Sequence, residues 1–311
     1  MDYLSCSKIA RLSHRNPLHR GRASAIASLL AALLTAGAGC GGGKLGREPK
    51  FPTAEHTIRA QTAREKGDVP SALREYLQAL VVSQGTDNLP ATAHNLNDIG
   101  TIYYSLGDPS KSLEYYMEAL RVSKELHDSR GIATNLGNIG CVYAAQGLWD
   151  KAIEKQEEAL YLEEQTRNWA GKARRLNNLG FAYRMKGDLD KAMEYFTAAE
   201  RLNKDLKNEA SRAANLCNIG SVHEAKGDLA GAARYYEQAA DIDKGAENFE
   251  GLAIDLHNGG RIAEKMEQFD RATDFYERAL HTNELMSKQA YVAQDIQNRD
   301  RVEKRADSKK K

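Results

Sequence analysis

The chain has 311 residues, 28% of them charged and 41% hydrophobic, an ordinary composition for a soluble protein and a length that would by default hold about two domains. Its 44 Lys/Arg and 43 Asp/Glu leave a formal charge of +1. The basic excess is local, with five Lys/Arg and one Asp in residues 1 to 40, so the remainder is slightly acidic and speaks against nucleic acid as a partner.

Chain order starts with that basic segment. Lys8, Arg11, Arg15, Arg20 and Arg22 precede an uncharged, Ala-rich run from Ala23 to Gly39, followed by Cys40 and a glycine run. Positive, then apolar, then small is the order of a bacterial export signal, and the apolar part is short and diluted for a spanning helix. Residues 1–39 are therefore expected to be a signal peptide. "TAGAGC" resembles a lipobox, which implies acylation of Cys40, although Gly37 stands where such sites usually carry Leu. Ala36-Gly37-Ala38 offers an ordinary cleavage site after Ala38, and with it free secretion to the periplasm or medium. Gly41 after the cysteine, rather than Asp, implies the outer membrane. Residues 40–52 read as a flexible tether carrying the acylated cysteine.

From residue 53 the chain repeats itself every 40 residues. A small residue recurs at Ala60, Gly100, Gly140, Gly180, Gly220 and Gly260, and a turn glycine at Gly67, Gly107, Gly147, Gly187 and Gly227. A second small column runs through Ala72, Ser112, Ala152, Ala192, Ala232 and Ala272. Aromatics follow at Tyr76, Tyr116, Phe196, Tyr236 and Tyr276, with Gln156 as the exception, and then alanines from Ala79 to Ala279. Apolar positions such as Leu136, Ile139 and Tyr143 come at three- and four-residue steps, so each unit opens with an amphipathic helix. The turn glycine supplies a left-handed cap. Ser110, Asp150, Asp190 and Asp270 are N-cap candidates for a second helix, and Pro70 is expected to preset the first turn where a cap is missing. One unit cannot bury its own apolar face, so stacking is obligatory.

These columns resemble the tetratricopeptide repeat family in six units, about 53–88, 89–128, 129–168, 169–208, 209–248 and 249–286. The family's usual period is 34, and the six extra residues fall between the last alanine column and the next small column. Both flanking helices are then longer, as in the long-repeat subtype of kinesin light chains and Pins/LGN scaffolds. The resemblance implies an all-α, right-handed superhelical solenoid of antiparallel helix-turn-helix repeats with a concave groove lined by first helices. In the sixth unit Gly259, Ala263 and Glu267 depart from the pattern, which suggests a looser terminal unit. Residues 287–311 read as a capping helix and a frayed basic tail.

Candidate chemistry does not assemble. Gly37, Gly39 and Gly42 match G-x-G-x-x-G with no preceding strand, and Lys44 is followed by Leu45 where a P-loop needs Ser or Thr. The stretch at Asp241 lacks a calcium loop's closing Glu, and the histidines form no metal-ligand spacing. Cys141 and Cys217 occupy different columns and read as small buried thiols. No enzyme activity, metal or cofactor is expected.

The resemblance assigns the groove to first-helix positions. The column Asp98, Asn138, Asn178, Asn218 and Asn258 would hydrogen-bond an extended peptide's backbone, since an amide donates and accepts together. Asn177 also faces the groove, and Arg174, Arg184, Arg261 and Lys265 stand beside it and could read an acidic segment or a C-terminal carboxylate, or could simply be solvated. The expected function is a non-catalytic envelope scaffold or adaptor that binds an extended peptide or a protein partner, anchored to the membrane through Cys40. The alternatives are a pilotin-like or outer-membrane assembly factor that docks a folded partner, and an adaptor of a cell-wall enzyme.

Overall fold

The computed structural model describes residues 52–310. The expected signal peptide, Cys40 and nearly all of the tether lie outside the described residues. Those described form thirteen helices and no strand, in two compact units, residues 52–167 and 168–310. The first unit holds α1 (Pro52–Glu65), α2 (Val69–Gly85), α3 (Leu89–Ser105), α4 (Pro109–Glu125), α5 (Ser129–Ala145) and α6 (Trp149–Gln165). The second holds α7 (Trp169–Lys186), α8 (Leu189–Asp205), α9 (Glu209–Ala225), α10 (Leu229–Gly245), α11 (Phe249–Lys265), α12 (Phe269–Leu285) and α13 (Gln289–Lys310). Trp149 opens α6 in the first unit, and Trp169 opens α7 in the second.

The period of 40 follows from helix length. Helices such as α3, α4, α9 and α10 each have 17 residues, joined by three-residue turns, so the extra residues do extend both members of a pair. Each turn is built the same way. Its middle residue is left-handed, and the residue after it donates its N–H five residues back, as Asp108 does to the Tyr103 carbonyl at 3.0 Å and Asn208 to the Asn203 carbonyl at 2.9 Å. Where that residue is Asp or Asn it then caps the next helix, its side chain accepting an N–H from the first turn (Lys111 to Asp108, 3.1 Å; Ser211 to Asn208, 3.2 Å).

This geometry corrects the expected caps. Asp150, Asp190, Asp270 and Ser110 lie inside the first turns of their helices, two residues beyond the capping position. Asp108, Asp188 and Asp228 cap, while Leu148 and Gln268 occupy that place without a side-chain bond. Asp68 likewise caps α2, so Pro70 adds to a cap and does not replace one. Glycines fill the left-handed position inside each pair, from Gly67 at φ 74° to Gly187 at φ 92°, and Glu267 takes it at φ 60°. Between pairs the left-handed residue is never glycine: Asp87, His127, Lys207, Glu247 and Ser287 all have φ between 50° and 55°.

Packing within a pair rests on the small and aromatic columns. A Cβ at Gly180 would meet the Phe196 ring at 2.7 Å, and one at Gly100 the Tyr116 ring at 2.8 Å. Gln156 fills the same place against Gly140, buried, and donates to the Gly137 carbonyl at 2.8 Å. The sixth pair is not looser. Stacks such as Tyr103 on Tyr115 and Tyr183 on Tyr195 (both 5.4 Å) have no counterpart at Ala263, but Phe275 turns into the space left by Gly259 and is buried. α13 is helical to Lys310 and buries Val302 against α12. Cys217 is a buried free thiol, and Cys141 is also buried.

Candidate functional site

The first helices carry two polar columns that the sequence reading did not separate. One, at Asn95, Asn135, Asn215, Asp255 and Asp295, is buried and faces a buried column on the preceding second helix, at Ser83, Ser123, Asn203, Asp243 and Asn283. Asn135 donates to Ser123 (3.1 Å), Asn203 to Asn215 (2.7 Å) and Asn283 to Asp295 (2.7 Å). The 12-residue spacing of these pairs was the available signal, with a polar residue at both ends in every repeat. In these three pairs the buried groups satisfy one another, which makes their burial tolerable.

The neighbouring candidate positions feed this ladder. Asn97 donates to Asn135 of the next first helix at 2.7 Å, and Asn177 accepts from both Asn215 (2.9 Å) and Asn218 (2.8 Å). Asn258 donates to the Cys217 sulfur at 3.5 Å. Asp98, Asn138, Asn178 and Asn218 are buried, whereas Asn258, Arg174, Arg184 and Arg261 are half-buried. Arg184 also lies over the Phe181 ring, 5.7 Å from its centroid. Asn177 and Asn218 thus hold adjacent first helices together, a structural task in addition to any contact with a ligand.

In the first unit the first-helix face opens into a cavity of about 530 Å³. Arg64 of α1, His94, Asn97 and Asp98 of α3, and Arg130 and Asn138 of α5 line it. Asp98 lies 3.4 Å from His94 and 3.5 Å from Arg64. Burial raises its carboxyl above the usual range, with His94 and Arg64 opposing the shift.

In the second unit the corresponding face carries ion pairs. Glu224 of α9 receives Arg261 of α11 through both guanidinium NH₂ groups, one at 2.7 Å, and Lys265 at 2.7 Å. Forty residues on, Glu264 of α11 receives Arg301 (3.2 and 2.7 Å) and Arg305 (2.7 Å) of α13. Burial pushes the Glu224 carboxyl up, but hydrogen bonds and charge from Arg261 and Lys265 outweigh it and hold it at about 2. Among the described residues no group of His, Cys, Asp and Glu side chains is placed to hold a metal ion, and no helix is long and apolar enough to cross a membrane.

Paired antiparallel helices of similar length, a left-handed turn inside each pair and a small column against an aromatic column define a helical-repeat protein. Sequence profiles described as tetratricopeptide repeat match residues 52–125, 131–205 and 213–245, and the chain belongs to that family. No curated protein sequence matches it. Solved structures share the fold at low identity. BtubC (BKLC) from P. vanneervenii is 20% identical with a TM-score of 0.58, over 77% of this chain and 93% of that one. A putative kinesin light chain from Podosopora anserina is 16% identical with a TM-score of 0.54, over 65% and 100%. A Rap protein solved in complex with Competence and Sporulation Factor is 14% identical with a TM-score of 0.61, over 84% and 77%.

Proposed function

We propose that this chain is a protein-binding adaptor of the bacterial envelope, anchored by acyl chains on Cys40, and that it takes an extended segment of its partner along the first-helix face. The observation that carries the reading is the cavity of the first unit, where Asp98, Asn97 and Asn138 sit beside Arg64 and His94. Amides and charges at one face offer both donors and acceptors to a peptide backbone, which is the chemistry of groove recognition. The Rap protein solved with Competence and Sporulation Factor lends support at the level of the fold. The order of basic residues, apolar run and Cys40 supports the anchor, since two or three chains on one cysteine hold a protein to a bilayer stably where one does not.

The test places a photo-crosslinking residue at His94, and in a second protein at Val81, which is exposed on α2 outside the cavity. After irradiation of intact cells, a partner recovered from membranes should crosslink through position 94 and not through 81. Crosslinks through 81 alone would defeat the reading. Palmitate labelling, lost in Cys40→Ala, checks the anchor; an unlabelled parent protein would point to cleavage after Ala38.

A further inference from the structure

α13 closes the second unit with little apolar surface of its own. α9 buries Leu216, Ile219 and Val222, whereas the same columns of α13 hold Ile296, which is exposed, Arg299, which is half-buried, and Val302. Val302 is the one apolar side chain that α13 buries, joining the cluster of Phe269, Ala272 and Tyr276, with Ala306 packed at its margin. The rest of the attachment is polar. Glu264 of α11 receives Arg301 and Arg305, Glu267 receives Lys309, and His257 lies 3.3 Å from Asp295, which also accepts from Asn283. Arg305 and Lys309 both stand over the Phe269 ring, 5.2 and 5.4 Å from its centroid. The Arg301, Arg305 and Lys309 side chains are between 47% and 54% exposed, and exposed pairs hold weakly and are screened by salt. A cavity of about 440 Å³, lined by Ala306 and Lys309 together with Gln268 and Asp270, marks where the last turns of α13 stand off the start of α12.

We infer that α13 is a displaceable strap over a docking face, built of Glu264, Glu267 and Phe269, whose other occupant is a basic amphipathic helix of a partner protein. The strap itself defines that chemistry. Arg301, Val302, Arg305, Ala306 and Lys309 are spaced to share one helical face, which sets cations on the two carboxylates and on the ring, with small apolar side chains between them. The Glu264 side chain is only 11% exposed, and a shielded carboxylate left without a cation is costly. The face therefore trades one basic helix for another more readily than it stands empty. Few buried apolar contacts and exposed ties make α13 the first element of the unit to open. A partner helix then binds with an affinity reduced by the fraction of chains in which the strap is off. This face depends neither on the first-unit cavity nor on an anchor at Cys40.

The probe is a fluorescein-labelled peptide of residues 289–310, titrated by anisotropy into the full chain. In Arg301→Glu with Arg305→Glu, which drives the strap off Glu264, the peptide should bind at least about tenfold more tightly than in the parent protein. A peptide carrying the same two changes should bind to neither. Adding Glu264→Gln to the opened chain should weaken binding by about tenfold or more. Val302→Ala with Lys309→Gln, which loosens the strap without reversing charge, should also take up the peptide more tightly than the parent, even if the first pair disturbs α11. Hydrogen exchange of the parent chain gives a second reading: amides of 289–310 should exchange ahead of those in α11 and α12, by a margin that widens as NaCl is raised. Exchange of α13 in step with α11 and α12 at every salt concentration, no gain in peptide binding by either opened chain, or equal binding of the charge-reversed peptide would overturn the strap. His94→Ala should leave this titration unchanged, so failure here and failure of the cavity reading are told apart.

Discussion

Asp243 shows what a single side chain contributes when its column partners differ. Burial pushes its carboxyl up to about 6, against hydrogen bonds with Asn248 and Asp255 that favour ionisation. A raised carboxyl pKa means the folded chain holds the proton more tightly than the unfolded one, so the fold loses stability as pH rises from about 4 to 6 and stays penalised above. Asp243→Asn should raise the melting temperature at pH 7, by ~1 to 3 kcal/mol in free energy, and remove the pH dependence in that window. The asparagine has a precedent in the next repeat, where Asn283 donates to Asp295 at 2.7 Å. No gain at pH 7 in a thermal melt would mean that the carboxyl is already relieved by its neighbours.

The turns between pairs carry an unused margin at the scale of the element. Lys207, at φ 55°, stands in the turn after α8 in a conformation that L-residues adopt at a cost. Lys207→Gly relieves that strain but loosens the unfolded chain, for a net gain of ~0.5 kcal/mol or somewhat more; a denaturant titration reads it as a higher midpoint with unchanged slope. This position also shows how far the sequence could be read. Gly107 and Gly187 announce their left-handed turns because glycine is the residue that pays least for positive φ. Lys207 and Glu247 announce nothing, since their conformation is imposed by the cap that follows. The same blindness misplaced Asp190 as a cap: an acidic residue suits both the capping position and the first turn, and composition does not separate them. Fold, pairing and period were legible because small and aromatic residues meet in fixed columns. The polar ladder was not, because Asn at a first helix reads alike whether it faces a ligand or Asn203.

For the molecule as a whole, stability is a sum of neighbour contacts, and Glu224 is one that pH can address. Its folded carboxyl lies below the ordinary value, so its contribution is complete above pH about 4.5 and is lost as pH falls toward about 2. Melts of the second unit should drop across that window by on the order of 1 to 3 kcal/mol, whereas Glu224→Gln should start lower at pH 7 and change less. Equal slopes for both proteins would assign acid sensitivity elsewhere.

The chain's two tryptophans, Trp149 and Trp169, open α6 and α7 and so fall one to each unit. Intrinsic emission is for that reason a local gauge: it watches the start of one helix on either side of residue 167 and is blind to α1 or α13. Trp169→Phe leaves a reporter of the first unit alone, and Trp149→Phe a reporter of the second. If the units melt separately, the two single-tryptophan proteins will give different fluorescence midpoints, and circular dichroism, which averages every helix, will spread over both. Coincident midpoints in all three would instead make the 259 helical-repeat residues from 52 to 310 one cooperative body.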